Sequence, residues 1–199
     1  SLVGSEMCIR DSLKAEDYFF SVRDPDVFNK LTQAEYDAYP IATIADLVEV
    51  NGQKQVTLYP NDRGWKFRLP MNQKVLSDSI TFNNEVFFVG FSPDSNAAAT
   101  CSAGKGTNFL YRVSVINGDP VVNNLDALDP GDSDDARRQT LQQGGIAPTP
   151  TILFPGPDDP NCQGADCNPP PIGCVGVECF DPGFANNPVR TLWTQDGIQ

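Results

Sequence analysis

The sequence contains no histidine, and that one gap closes several chemistries. A Ser-His-Asp or Cys-His nucleophile cannot be assembled from this chain, and neither can a zinc site that needs imidazole. Basic residues are scarce: 14 Lys plus Arg face 26 Asp plus Glu, giving a net charge of −12 and a pI near 4.2. Such a charge repels phosphate backbones and anionic headgroups, which argues against nucleic-acid and membrane-surface partners. No run approaches the roughly 18 apolar residues of a membrane-spanning helix, so membrane insertion is not expected. The 199 residues, 40% of them apolar, are enough for a core and suggest one domain or a little more.

The opening SLVGSEMCIRDS lacks the charged region, apolar stretch and small-residue cleavage site of a secretory signal. Strings ending in VGSEMCIRDS resemble translated sequencing-adapter read-through at the ends of metagenomic gene fragments. Residues 1–12 are therefore expected to be an artefact, with the native sequence starting near Leu13 and Cys8 leaving the cysteine count.

Downstream, LKAEDYFFSV ends in an aromatic run that suits a strand. Thr32 precedes Glu35 at capping-box spacing and Pro40 then interrupts, which predicts short helical turns. QVTLY, after the Asn51-Gly52 turn signal, alternates as a strand should. In GWKFRLP, Trp65, Phe67 and Leu69 fall on one face, with Lys66 and Arg68 on the other. EVFFVGFSP reads as a buried strand after Asn83-Asn84, and NFLYRVSV puts Phe109, Tyr111, Val113 and Val115 on one face before the Asn117-Gly118 turn. Strands at this spacing with turns between them predict a mainly β fold with antiparallel sheets. IAPTPTILF and VRTLWTQDG are two further strand candidates.

Residues 144–188 hold 17 of the 33 glycines and prolines, so regular structure is expected to be scarce there. Cys162, Cys167, Cys174 and Cys179 lie in that stretch at x4, x6 and x4 spacing. Four thiolates hold a structural zinc or form two disulfides. Zinc ribbons pair cysteines at shorter spacing, so disulfides in an oxidising compartment fit better, with Cys162–Cys167 and Cys174–Cys179 the simplest of three connectivities. Cys101 is left over. The run from Asp126 through Asp129, Asp132 and Asp134 to Asp135 has oxygen enough for calcium, yet no register matches an EF-hand loop, and a solvated acidic loop is the preferred reading. CSAGKGT lacks the upstream glycine of a phosphate-binding loop and puts Gly106 where Ser or Thr should follow Lys105, so it reads as a turn. No carboxylate pair is singled out by apolar surroundings as a glycosidase pair would be.

Taken in order, YFFSVRDP, IADLVEV, GWKFRLP with MNQKVLSDSITFNNEVFFVGFSP, CSAGKGTNFLYRVSVINGDPV, GGIAPTPTILF and VRTLWTQDG resemble the C-terminal part of the tip-associated adhesins of type IV pili, the PilC/PilY family. That resemblance implies a partial β-propeller of one to two antiparallel blades over 13–155, a Pro/Gly/Cys-rich insertion loop over 156–188 and a terminal strand over 189–199. It also implies a non-catalytic protein on the surface of a Gram-negative bacterium, at the pilus tip or outer membrane, acting in pilus assembly, adhesion and twitching motility. Its partners would be minor pilins and a host or abiotic surface. The family's calcium loop has no counterpart here and would lie upstream of Leu13, so no cofactor or metal is expected within this chain. The competing expectations are a piece of a propeller-type quinoprotein dehydrogenase and an extracellular β domain unrelated to pili. Blades pack face to face, so residues 13–199 alone are expected to be poorly soluble or loosely folded.

Overall fold

The structure, a computed structural model, describes residues 16–24, 26–93, 105–121, 132–157 and 167–186. The chain divides into two compact units, Ser1–Pro150 and Thr151–Gln199, and both are built of strands.

Among the described residues the first unit contains two sheets. One holds β1 (Tyr18–Val22), β2 (Val48–Glu49) and β3 (Gly64–Arg68) in the order β1-β3-β2, with β1 antiparallel and β2 parallel to the central strand. The other holds β4 (Lys74–Val75), β5 (Ile80–Phe82), β6 (Glu85–Ser92), β7 (Thr107–Ser114) and β8 (Arg138–Leu141). Here β5, β6, β7 and β8 form an antiparallel meander, and β4 pairs with the far end of β6. The β5–β6 hairpin turns on Asn83 and Asn84, both at positive φ (50° and 64°), as the primed turn that follows strand twist demands.

The period of two in GWKFRLP is realised: Trp65, Phe67 and Leu69 are buried, while Arg68 on the opposite face is exposed. They pack face to face with Val86, Phe88, Tyr111 and Val113 of the second sheet, making a small sandwich. Phe88 lies between Phe19 and Tyr111, with ring centroids at 4.0 and 4.6 Å, and Phe67 meets Tyr111 edge-on at 5.6 Å. Each of these large side chains contributes about 1.5–3 kcal/mol by leaving water. Trp65 donates its indole N–H to the Val115 carbonyl at 3.0 Å. Beside it, Gly118 at φ 70° seats the Asn117-Gly118 turn on the indole, where a Cβ would lie only 3.0 Å from the ring.

One expected strand does not form. Residues 55–59 point Val56 and Leu58 inward and leave Thr57 and Tyr59 exposed, so the alternation is real, but no ladder accompanies it. Carboxylates have taken the amides instead: Val56 N–H donates to Asp119 at 2.8 Å and Tyr59 N–H to Asp62 at 2.6 Å. Residues 189–199, the other late strand candidate, lie outside the described residues.

In the second unit β9 (Thr151–Leu153), β10 (Ile172–Val175) and β11 (Glu178–Phe180) form an antiparallel sheet in the order β11-β10-β9. Composition predicts little regular structure here, yet a two-residue turn with Gly176 at φ 59° folds β10 onto β11. Asn186 then donates to the Pro155 and Pro169 carbonyls, 2.9 Å each, tying the proline-rich flanks together.

Candidate binding groove

Between β1 and β2 the chain leaves the sheet and returns through two short helical turns. Thr32 caps α1 (Gln33–Asp37) reciprocally with Glu35: Glu35 N–H donates to the threonine hydroxyl at 3.4 Å, and the Glu35 carboxylate takes Thr32 N–H at 2.8 Å. The pattern recurs at the 3-10 turn Ile44–Asp46, where the Asp46 carboxylate accepts both Thr43 N–H and Thr43 O–H, at 2.7 and 2.8 Å. These hydrogen bonds hold both carboxyls, Glu35 and Asp46, below their ordinary pKa.

A polar bolt fixes this excursion to the sheet. Tyr39 donates a short hydrogen bond to the Asp26 carboxylate, which also accepts from Asn29 at 3.2 Å. Arg63, next to β3, donates to the Tyr39 hydroxyl at 3.2 Å and lies over its ring at 5.3 Å. The Tyr39 phenol, then the Asn29 amide, holds Asp26 below the usual carboxylate range, and the same phenol raises Arg63.

The groove bounded by this bolt encloses about 1070 Å³. Val22, Leu31, Tyr36 and Ile41 give it apolar walls, and its charged lining is mixed, with Arg23 and Arg63 beside Asp24, Asp26 and Asp37. Ile41 is 88% exposed and nearby Phe28 is 98% exposed, so this part of the surface offers large apolar side chains to solvent. Apolar walls with charges of both signs suit a peptide or protein partner. The groove hydroxyls of Thr32 and Tyr39 are committed to Glu35 and Asp26.

The cysteines predicted to pair fall partly within view. Cys174 and Cys179 sit directly opposite each other on β10 and β11 and are disulfide-bonded. Cys167 is disulfide-bonded as well, while Cys162 and Cys101 lie outside the described residues. In the aspartate run, Asp126 and Asp129 lie outside the described residues, as does the side chain of Asp132 at the start of α2 (Asp132–Ala136). Asp134 is structural: it accepts from Arg137 at 2.5 Å and from Gly52 N–H at 2.9 Å. Asp135 pairs with Arg138 at 2.6 Å. Among the described residues no group of three or more Cys, Asp and Glu is placed to hold a metal, and no helix is long and apolar enough to cross a membrane. Lys105 and Gly106 lead into β7, with Gly106 at φ 60° against the Phe91 ring, in keeping with a turn.

Sequence reasoning missed Arg137, whose side chain is wholly buried. Its guanidinium donates to the carbonyls of Gly118, Val50 and Gln53 at 2.8, 2.9 and 2.8 Å, and it stacks over Phe67 at 5.5 Å. The only local signal was Asp134 three residues earlier on a helical turn. The groove left a weaker trace, because Leu31, Tyr36 and Ile41 share no periodic face. No family model, no curated protein and no solved structure matches the chain.

Proposed function

We propose that this chain is a surface-exposed component of the type IV pilus tip, acting without catalysis in pilus assembly, adhesion and twitching motility, and that its excursion groove receives a protein partner there. The observation that carries the reading is the β5–β8 meander stacked face to face on a second sheet, since four antiparallel strands in meander order are the unit of a propeller blade. The first sheet, with its parallel β2, is not such a blade, so the reading assigns one blade to β5–β8. The Cys174–Cys179 disulfide suits an oxidising, extracellular setting. The order of motifs along the chain, from YFFSVRDP to the Asn117-Gly118 turn, supports the same family.

The test is genetic. An in-frame deletion of the gene in its piliated host should abolish twitching and reduce surface pili, and the intact gene should restore both. Complementation with Tyr36→Asp/Ile41→Asp, which charges the groove walls, should restore neither if the partner docks there. Normal piliation and motility in the deletion strain would end the proposal. Neighbouring genes give a second readout: minor pilin genes support it, and a cytochrome gene would favour the dehydrogenase instead.

A further inference from the structure

The first sheet ends on β1, and the parity of the ladder fixes what that edge offers. Leu69 N–H donates to the Asp17 carbonyl at 2.9 Å and Arg23 N–H to the Arg63 carbonyl at 2.7 Å. Residues 17, 19, 21 and 23 therefore turn their backbone groups toward β3, and Tyr18, Phe20 and Val22 turn theirs outward. Among the described residues nothing hydrogen-bonds these outward groups, because β1 is the last strand of its sheet.

Edges of this kind are normally blunted by charge, proline or a bulge. YFFSV contains none of these. Its outer face carries Phe20 and Val22, 45% and 65% exposed, and the Tyr18 and Phe20 rings stack at 5.8 Å into a flat apolar strip.

We propose that this edge pairs antiparallel with the β1 edge of a second copy of the chain, about a two-fold axis at Phe20. In that register Phe20 meets Phe20 of the second copy, Tyr18 meets Val22, and the outward groups exchange about six backbone hydrogen bonds. Charge supports the arrangement. Asp17, which Lys74 of its own copy already holds at 3.0 Å, comes opposite Arg23 of the second copy on both sides of the axis and gains a second cation there, and such cross-strand pairs of opposite sign stabilise a ladder. One step further out Glu16 meets Asp24, but Arg68 already neutralises Glu16 at 2.7 Å. An isologous contact of this kind closes at two copies, with no free β1 edge left to propagate. The inference rests on the edge and not on the pilus reading, although Val22 of the edge also lines the excursion groove.

The test is sedimentation velocity of the full 199-residue chain over a concentration series, beside Phe20→Pro and Phe20→Lys. Phe20 N–H points away from β3, so proline there spares the native ladder and removes both hydrogen bonds of the central pair. Lysine places two like charges on the axis. Wild type should form a dimer, and each variant should raise the dissociation constant by about tenfold or more with unchanged circular dichroism. Amide exchange at residues 18, 20 and 22 should slow only in concentrated wild type, whereas residues 19 and 21 stay protected throughout. If the proline variant fails to fold, the lysine variant decides. A wild-type chain that stays monomeric at every concentration overturns the proposal, whichever other strand the edge takes, and so does a dimer that both variants leave intact.

Discussion

Replacing Arg137 by Met probes the polar joint of the first unit. In the native fold the guanidinium satisfies three backbone carbonyls, those of Val50, Gln53 and Gly118, and pairs with Asp134. Methionine fills much of the volume and donates nothing. The Gly118 and Gln53 carbonyls then lose their donor inside the protein, at about 1 kcal/mol each at the low end of the range for buried groups, while the Val50 carbonyl keeps the Gln53 N–H at 3.2 Å. The abandoned Asp134 carboxylate is one-third exposed and can rehydrate in part, so its share is taken as about 1 kcal/mol. The sum, about 3 kcal/mol, lies at the lower end of the ~3–5 kcal/mol expected when one partner of a buried ion pair is removed. Against a total stability of about 5–15 kcal/mol, that is a large share. Urea denaturation followed by Trp65 emission, with Trp193→Phe removing the other of the two tryptophans, should show the midpoint falling by about 1.5 M. Arg137→Lys should recover little, because a single ammonium cannot span three carbonyls and a carboxylate. A loss below about 1 kcal/mol for Arg137→Met would refute the reasoning, since it would mean the carbonyls find other partners.

Three further outcomes follow from the same geometry. Gly118→Ala should cost about 1–3 kcal/mol and shift Trp65 emission to the red, because the position sits at φ 70° with the indole 3.0 Å from the added methyl; an unchanged melt would show that the turn relaxes freely. Reducing the Cys174–Cys179 disulfide should destabilise the β10–β11 hairpin by about 2 kcal/mol, the value for so short a loop, and accelerate amide exchange at Gly173 and Val175 while leaving β6 and β7 unaffected. Burial pushes the Tyr111 phenol up to about 12 from the ordinary 10.0, so its folded-state pKa exceeds its unfolded one. Its contribution is therefore fully present below pH 10 and is lost as pH rises toward 12; Tyr111→Phe should remove that alkaline decline, and an identical decline in the variant would contradict the assignment.

What was legible in the sequence was whatever depends on local period and local turn chemistry. Trp65, Phe67 and Leu69 announce their face because a strand repeats every two residues, and Asn83-Asn84 announces its hairpin because only a few residues accept positive φ. The Thr32–Glu35 box is equally local. Residues 55–59 show where that reasoning stops: inward alternation says which side chains are buried, but not whether a neighbouring strand or a distant carboxylate, here Asp119, will take the amides. Arg137 was invisible for a related reason. An arginine beside a cluster of aspartates reads as solvated, and only the meeting of the Val50–Gln53 turn with Gly118 creates the ring of carbonyls that makes burial tolerable. The groove depends on Arg63 reaching Tyr39 across 24 residues, a contact without a sequence pattern.

The measurement that bears most directly on the central claim is immunogold electron microscopy of intact piliated cells of the native host, with antibodies raised against the 199-residue chain. The pilus-tip reading predicts gold at the distal ends of pili and none in the deletion strain. Label confined to the cell interior or periplasm, or spread over the surface with bare pilus tips, would contradict it.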